Sequence, residues 1–192
     1  DGADSIVASN TTVGGGNYIF VNPSPGTCTI EFVAPTGYNF TAINAGSDDG
    51  IDSDVNPVTR RTGRVTVVLE QSNLTIDAGM YRPGSISGVK FNDKNASGLR
   101  DAGEPGLSGW TIYLDLDKDD HWDNVSTPGS IVEPSDVTDS SGGYSFSDLV
   151  PGEYRVSEVA QDGWIQSCPA TSFYDETLVS GQIASNLDFG NR

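Results

Sequence analysis

Apolar residues alternate with polar ones in short runs along most of this chain. Trp110, Ile112, Leu114 and Leu116 share one face of a period-two pattern, Val65, Val67 and Leu69 a second, and Tyr154 and Val156 a third. Successive side chains of an extended strand point to opposite faces, so this alternation predicts strands with one buried side. Each run is bounded by Gly, Pro, Asn or Asp clusters, as at Pro25-Gly26 and Gly142-Gly143, which suit turns. No stretch carries a sustained helical period with caps. Short strands separated by turn signals predict an all-β chain of small sandwiches.

The pattern is written twice. Tyr18 matches Tyr144, Phe20 matches Phe146, Pro25-Gly26 match Pro151-Gly152, Gly37 matches Gly163 and Tyr38 matches Trp164, all at one constant offset. The first copy closes at Asp77-Ala78-Gly79-Met80 and the second at Asp188-Phe189-Gly190-Asn191. Two tandem domains are expected, 1–82 and 83–192, joined by the short segment Tyr81-Arg82-Pro83-Gly84. So short a linker favours a stiff array. The same offset sets Asp1 opposite Thr127. The first copy is therefore expected to lack its N-terminal strands, leaving an open edge for a longer array or a strand from another chain to complete.

Charge narrows the partners. Twenty-seven acidic residues against ten basic give a net charge of -17. That balance argues against nucleic acid and against anionic membranes. No apolar run is long enough to span a bilayer, so membrane insertion is not expected. Cys28 and Cys168, one per copy, are too few for a disulfide framework. Cys28 aligns with Tyr154 and is expected as a buried free thiol.

The acidic residues are spaced, not scattered. Counted from Asp93, oxygen-bearing side chains fall at positions 1, 3, 5, 9 and 12: Asp93, Asn95, Ser97, Asp101 and Glu104. Gly98 takes position 6 and Leu99 would offer its carbonyl at position 7. This is the ligand spacing of a calcium-binding EF-hand loop, here flanked by strand patterns instead of helices. A second set, Asp115, Asp117, Asp119 and Asp123, repeats positions 1, 3, 5 and 9, with His121 at the carbonyl position. It has Asp120 where glycine belongs and Ser126 where the closing glutamate belongs, so a weaker site, or one completed from elsewhere, is expected. Asp48, Asp49, Asp52 and Asp54 form a third acidic group in the first copy.

The string K-F-N-D-K-N-A-S-G-L-R-D-A-G-E-P-G-L-S-G-W-T-I-Y-L-D-L-D, followed by T-D-S-S-G-G-Y-S-F, L-V-P-G-E-Y-R-V-S-E-V and L-D-F-G-N, resembles the SdrD B-like repeats of serine-aspartate-repeat surface adhesins. These are relatives of the collagen-adhesin B-type domains. The resemblance covers 84–192 in full and 1–82 as a unit without its first strands. It implies transthyretin- or immunoglobulin-like β-sandwiches, calcium in the loops, and an extracellular stalk or spacer role at the cell surface or in secreted form. Some relatives also join a lysine near the first strand to an asparagine near the last through an isopeptide bond, assisted by a buried acid. By position the counterparts are Lys90, Asn191 and Glu158. Glu158 is in phase with Tyr154 and Val156 and would face the core, whereas Val89 and Phe91 could claim the core face and leave Lys90 outside.

Catalysis is not expected. His121 sits among acidic residues rather than beside a nucleophile, and one histidine with two separated cysteines disfavours zinc. Two readings remain. In the first, the chain is a calcium-stapled rigid repeat of an adhesin, stalk or fibre, whose partners are neighbouring repeats of the same or another chain, up to a homopolymer built head-to-tail by strand addition. In the second, one face recognises a host protein or glycan. Trp110 and Trp164 occupy core positions and only Trp122 looks free for such contacts, which favours the structural reading.

Overall fold

A computed structural model describes residues 5–125 and 131–192. Its chain divides into two compact units, one of residues 1–34 and 40–79 and the other of 35–39 and 80–192. No α-helix occurs among the described residues. The chain is all-β.

The first unit is sparsely paired. It holds the short strands β1 (Gly26–Cys28), β2 (Asn39–Phe40, at its edge) and β3 (Val65–Val67). β1 and β3 run antiparallel, with Thr27 opposite Thr66, and single bridges join Glu31 to Arg61 and Val55 to Thr62. The rings of Tyr18, Phe20 and Phe32 meet edge to face, with centroids 5.9 Å and 5.4 Å from that of Tyr18. The Tyr18 hydroxyl donates to the Ile76 carbonyl at 2.8 Å. Leu69, expected to continue the face of Val65 and Val67, lies beyond the end of β3 and is exposed. Cys28 is half-buried, not buried as expected, and neither it nor Cys168 forms a disulfide.

The second unit contains β4 (Met80–Tyr81), β5 (Gly84–Asn92), β6 (Thr111–Asp115), β7 (Ser135–Val137), β8 (Gly143–Leu149), β9 (Gly152–Glu158), β10 (Gln166–Cys168), β11 (Phe173–Leu178), β12 (Ile183–Ala184) and β13 (Phe189–Asn191). β5 is the spine of one sheet. One of its edges carries β8 antiparallel, and the other carries β12 and then β13, both parallel, with β10 outside β13. The second sheet is antiparallel throughout, in the order β11-β9-β6-β7. Side chains from both sheets share one core: Ile86, Ile112, Leu114, Tyr144, Phe146, Val156, Leu178 and Phe189, with Trp110 between the strands. This is a β-sandwich.

β8 shows why the alternation was readable: Tyr144 and Phe146 are buried and Ser145 and Ser147 exposed. Trp110 and Trp164 pack edge to face at 5.6 Å, as core residues should. Leu116 departs from the expected face, because β6 ends at Asp115 and the chain turns away. Trp122 is half-buried, so it does not supply the free aromatic surface expected of it.

The repeat survives in three dimensions as a tether. The Tyr144 hydroxyl donates to the Leu187 carbonyl at 2.6 Å, and Leu187 precedes Asp188-Phe189-Gly190 as Ile76 precedes Asp77-Ala78-Gly79. Tyr18 and Tyr144 thus tie the same turn to the same closing segment, each within its own unit.

Candidate functional site: two oxygen-lined loops and a buried lysine

The first loop leaves the end of β5. Asp93 is fully buried, and its two carboxylate oxygens accept the N–H groups of Ser97 (3.0 Å) and Gly98 (2.8 Å). Gly98 has φ 73°, a left-handed conformation that glycine adopts without steric cost. Glu104 folds back across the mouth, accepting the N–H of Lys94 at 2.9 Å and of Asp101 at 3.0 Å. Asn95 and Ser97 both donate to Asp101, at 2.8 Å and 2.9 Å, and these bonds hold its carboxyl below the ordinary range. The Leu99 side chain is exposed while its carbonyl accepts the Ser97 hydroxyl at 3.2 Å. The expected ligands of this loop are therefore gathered at one turn.

The second loop leaves the end of β6 and repeats that scaffold position for position. Asp115 is fully buried and accepts the N–H groups of Asp119 (3.2 Å) and Asp120 (3.1 Å), counterparts of Ser97 and Gly98. Asp120 holds the left-handed turn at φ 63° in place of glycine, and its carboxylate pairs with Arg155 at 3.2 Å. His121 is exposed and its N–H donates to Asp119 at 2.8 Å. Ser126, the sequence position for a closing ligand, lies outside the described residues.

The closing carboxylate comes from Glu133, which sequence spacing missed. Glu133 accepts the N–H of Leu116 at 2.7 Å and of Asp123 at 3.1 Å, the two positions equivalent to Lys94 and Asp101. Only 4 % of Glu133 is exposed, and burial raises its carboxyl pKa, with Asp115 and Asp117 adding to the rise against the two N–H donors. One carboxylate oxygen from each of Asp115, Asp117 and Glu133 lies within 4.8 Å of the others, a group able to hold a metal ion. All donors here are hard oxygens, which suits calcium or magnesium and disfavours softer metals. Asp49, Asp52 and Asp54 of the first unit form a similar group. Burial raises the Asp52 carboxyl pKa, with Asp49 and Asp54 adding to it.

Lys90 points inward. Gly84, Ile86, Gly88 and Lys90 share the core face of β5, and the lysine is fully buried. Phe91 is also fully buried, but its ring covers Gly190, where a Cβ would come within 2.5 Å of it. The Lys90 ammonium pairs with Glu158, whose side chain is 4 % exposed, and lies 4.5 Å from the centre of the Trp110 ring. Asn191 is 2 % exposed, its side chain hydrogen-bonds Glu158, and its Oδ1 has no partner. Burial lowers the Lys90 pKa to about 8 despite the opposing pull of Glu158. Burial raises the Glu158 pKa, although Lys90 and Asn191 both favour its ionised form. The two values are driven toward each other, which lowers the cost of passing a proton from amine to carboxylate. An amine, an acid and a side-chain amide thus converge in the dry interior.

Comparison with known proteins agrees with the residues. The model for the SdrD B-like domain matches residues 1–80 and 84–182. Serine-aspartate repeat-containing protein D of Staphylococcus aureus (strain Newman) is 32% identical over 160 residues, covering 83% of this chain and 11% of that protein. Serine-aspartate repeat-containing protein F of Staphylococcus epidermidis is 33% identical over 180 residues, covering 93% of this chain and 9% of that protein. The chain spans about a tenth of the length of these relatives. Among solved structures, the Streptococcal ancillary pilin aligns at TM-score 0.40 and 18% identity, over 89% of this chain and 43% of that one. No helix among the described residues is long and apolar enough to cross a membrane. Matched in both halves by one domain description, the chain belongs to the SdrD B-like family.

Proposed function

We propose that this chain is a non-enzymatic structural part of an extracellular surface adhesin, stalk or fibre: tandem transthyretin- or immunoglobulin-like modules, 1–82 and 83–192, stiffened by calcium. The observation that carries this reading is the scaffold shared by the two loops, down to the glutamate that closes each. Asp93, Asn95, Ser97, Asp101, Glu104 and the Leu99 carbonyl would hold one ion. Asp115, Asp117, Asp119, Asp123, Glu133 and the His121 carbonyl would hold the other. A bound cation supplies the positive charge that lets these carboxylates sit together. An ion bound by the native state alone must stabilise it, so melting with calcium and with excess EDTA tests the reading. A large drop in Tm with chelator is expected, and an unchanged Tm overturns it.

The Lys90–Glu158–Asn191 arrangement supports a second fastening, a Lys90–Asn191 isopeptide bond. Neutral Lys90 Nζ would attack the Asn191 side-chain carbonyl carbon. The new C–N bond replaces the bond to Nδ2, and Glu158 carries the proton that leaves with ammonia. Intact mass tests this step, since the bonded chain is lighter by one ammonia.

Assembly with neighbouring repeats, in the same or another chain, fits the surface of the first unit. Ile6, Val7, Val33, Val58 and Leu74 each stand more than 80 % exposed. A β-segment of an adjacent repeat laid on this unit would cover part of this exposed apolar surface. Sedimentation over a concentration series tests assembly between chains: self-association is expected, and a monomer throughout overturns that arm.

A further inference from the structure

The first loop and the Lys90–Asn191 pair meet at one main-chain contact. Asp93 follows directly on the last residue of β5, and its N–H donates to the Asn191 carbonyl at 2.8 Å. β5 and β13 run parallel here, with Lys90 opposite Phe189 and Asn92 opposite Asn191. The position of Asn191 along Lys90 is thus set at Asp93. The loop also grips the far side of β13. Gly98 packs against the Ser167 carbonyl, 3.3 Å from where its Cβ would stand, and Ser167 belongs to β10, which pairs Gln166 with Asn191. Arg192 and Ile165 exchange main-chain hydrogen bonds at 3.0 Å just beyond. The Asp93 carboxylate holds the N–H groups of Ser97 and Gly98, so one residue organises the loop and holds the end of β13.

We infer that Asp93 is a positioning residue for the Lys90–Asn191 bond, and that a divalent cation in the first loop sets how fast this bond forms. The inference rests on the proposed isopeptide and calcium readings and adds a coupling between them. A loop drawn tight around an ion fixes Asp93 and Gly98, and through them both neighbours of β13. Asn191 is then presented to the lysine in one register. Without the ion, only the loop's own hydrogen bonds hold its five oxygen-bearing side chains against their mutual repulsion, and the Asp93–Asn191 contact is made for a smaller part of the time. Bond formation needs close alignment of amine and carbonyl, so modest misplacement slows it strongly. The step consumes no oxidant or cofactor: one amine and one amide give one amide and ammonia.

The test starts from the full chain recovered unfolded and refolded in calcium chloride or in excess EDTA. Ammonia loss is followed by intact mass on the folded fraction alone, isolated by size exclusion, so that slower folding is not mistaken for slower chemistry. Calcium is expected to speed ammonia loss roughly tenfold or more. Asp93→Asn is expected to react slowly in both buffers. Leu178→Ala, which weakens the core away from the loop, is expected to keep the wild-type response to calcium in its folded fraction. Equal wild-type rates in the two buffers overturn the coupling, as does an equal loss of the calcium response in Leu178→Ala and Asp93→Asn. Calorimetry on Lys90→Met separates the failures. A chain that binds calcium while wild-type rates ignore it sinks the coupling and leaves the loops standing. A folded chain that never loses ammonia removes the bond, and the inference with it.

Discussion

The ammonium of Lys90 and the carboxylate of Glu158 form an ion pair sealed from water, with side chains 0% and 4% exposed. Removing one partner strands a buried charge, which costs about 3–5 kcal/mol. In an Asn191→Ala background, where no bond can form, Glu158→Ala is expected to destabilise by that order. Adding Lys90→Met should restore most of the loss. Urea denaturation of the three chains measures it, and a Glu158→Ala chain as stable as its parent contradicts the buried pair.

The same pair predicts a pH response. Lys90 has a folded pKa of about 8 against an ordinary 10.5, so the folded state disfavours its charged form. The unfolded chain then binds more protons between these values, and stability from this group rises as pH climbs through that window. Glu158 works in the opposite direction at lower pH. Its folded pKa is raised, so its contribution falls as pH rises from the ordinary carboxylate value toward the folded one. The Asn191→Ala chain is therefore expected to gain stability between pH 8 and 10.5 relative to the same chain carrying Lys90→Met. Parallel curves for the two chains would show that Lys90 titrates normally.

Glu133 predicts a site-specific loss. Glu133→Gln is expected to weaken calcium at the second loop by about ten- to a hundredfold, because a closing carboxylate is lost while the fold remains. The first loop, closed by Glu104, keeps its affinity. Calorimetric titration resolves the two. Glu133→Ala goes further and leaves the N–H groups of Leu116 and Asp123 without their acceptor. That change costs roughly 1–3 kcal/mol for each N–H left buried and unpaired, even in chelator.

The tyrosine tethers predict unequal costs. Tyr144→Phe removes a buried hydrogen bond to Leu187 and is expected to cost about 1–3 kcal/mol. Tyr18→Phe removes the matching bond to Ile76 at a half-buried site, where about 0.5–1.5 kcal/mol is expected. Hydrogen exchange at the residues that follow Leu187 and Ile76 reports each loss, and unchanged protection in both variants contradicts the tether.

What was legible in the sequence was local. The first loop reads directly because alternate residues of one short turn carry its oxygens, from Asp93 to Glu104. β8 reads directly because one face is apolar and the other wet. Glu133 does not read, since its place beside Asp115 is set by the pairing of β6 with β7, where Tyr113 stands opposite Ser135. Nothing in residues 115–126 announces it. The direction of Lys90 was hidden for a different reason. Its face of β5 contains two glycines, which carry no hydrophobic signal, while Phe91 is buried on the opposite side beneath contacts that only Gly190 permits. At Leu69 and Leu116 the alternation continues past the point where the strands stop.

The parallel alignment of β5 with β13 has a mechanical meaning. A pull entering at Gly84 and leaving at Asn191 drags these neighbours along their length in opposite directions. The hydrogen bonds from Lys90 to Asn92 are then loaded together in shear, instead of opening one after another like a zip. Until Lys90 and Asn191 are joined, the sandwich would give way only when that whole patch slips at once, which is the failure mode expected of a tether and not of a hinge.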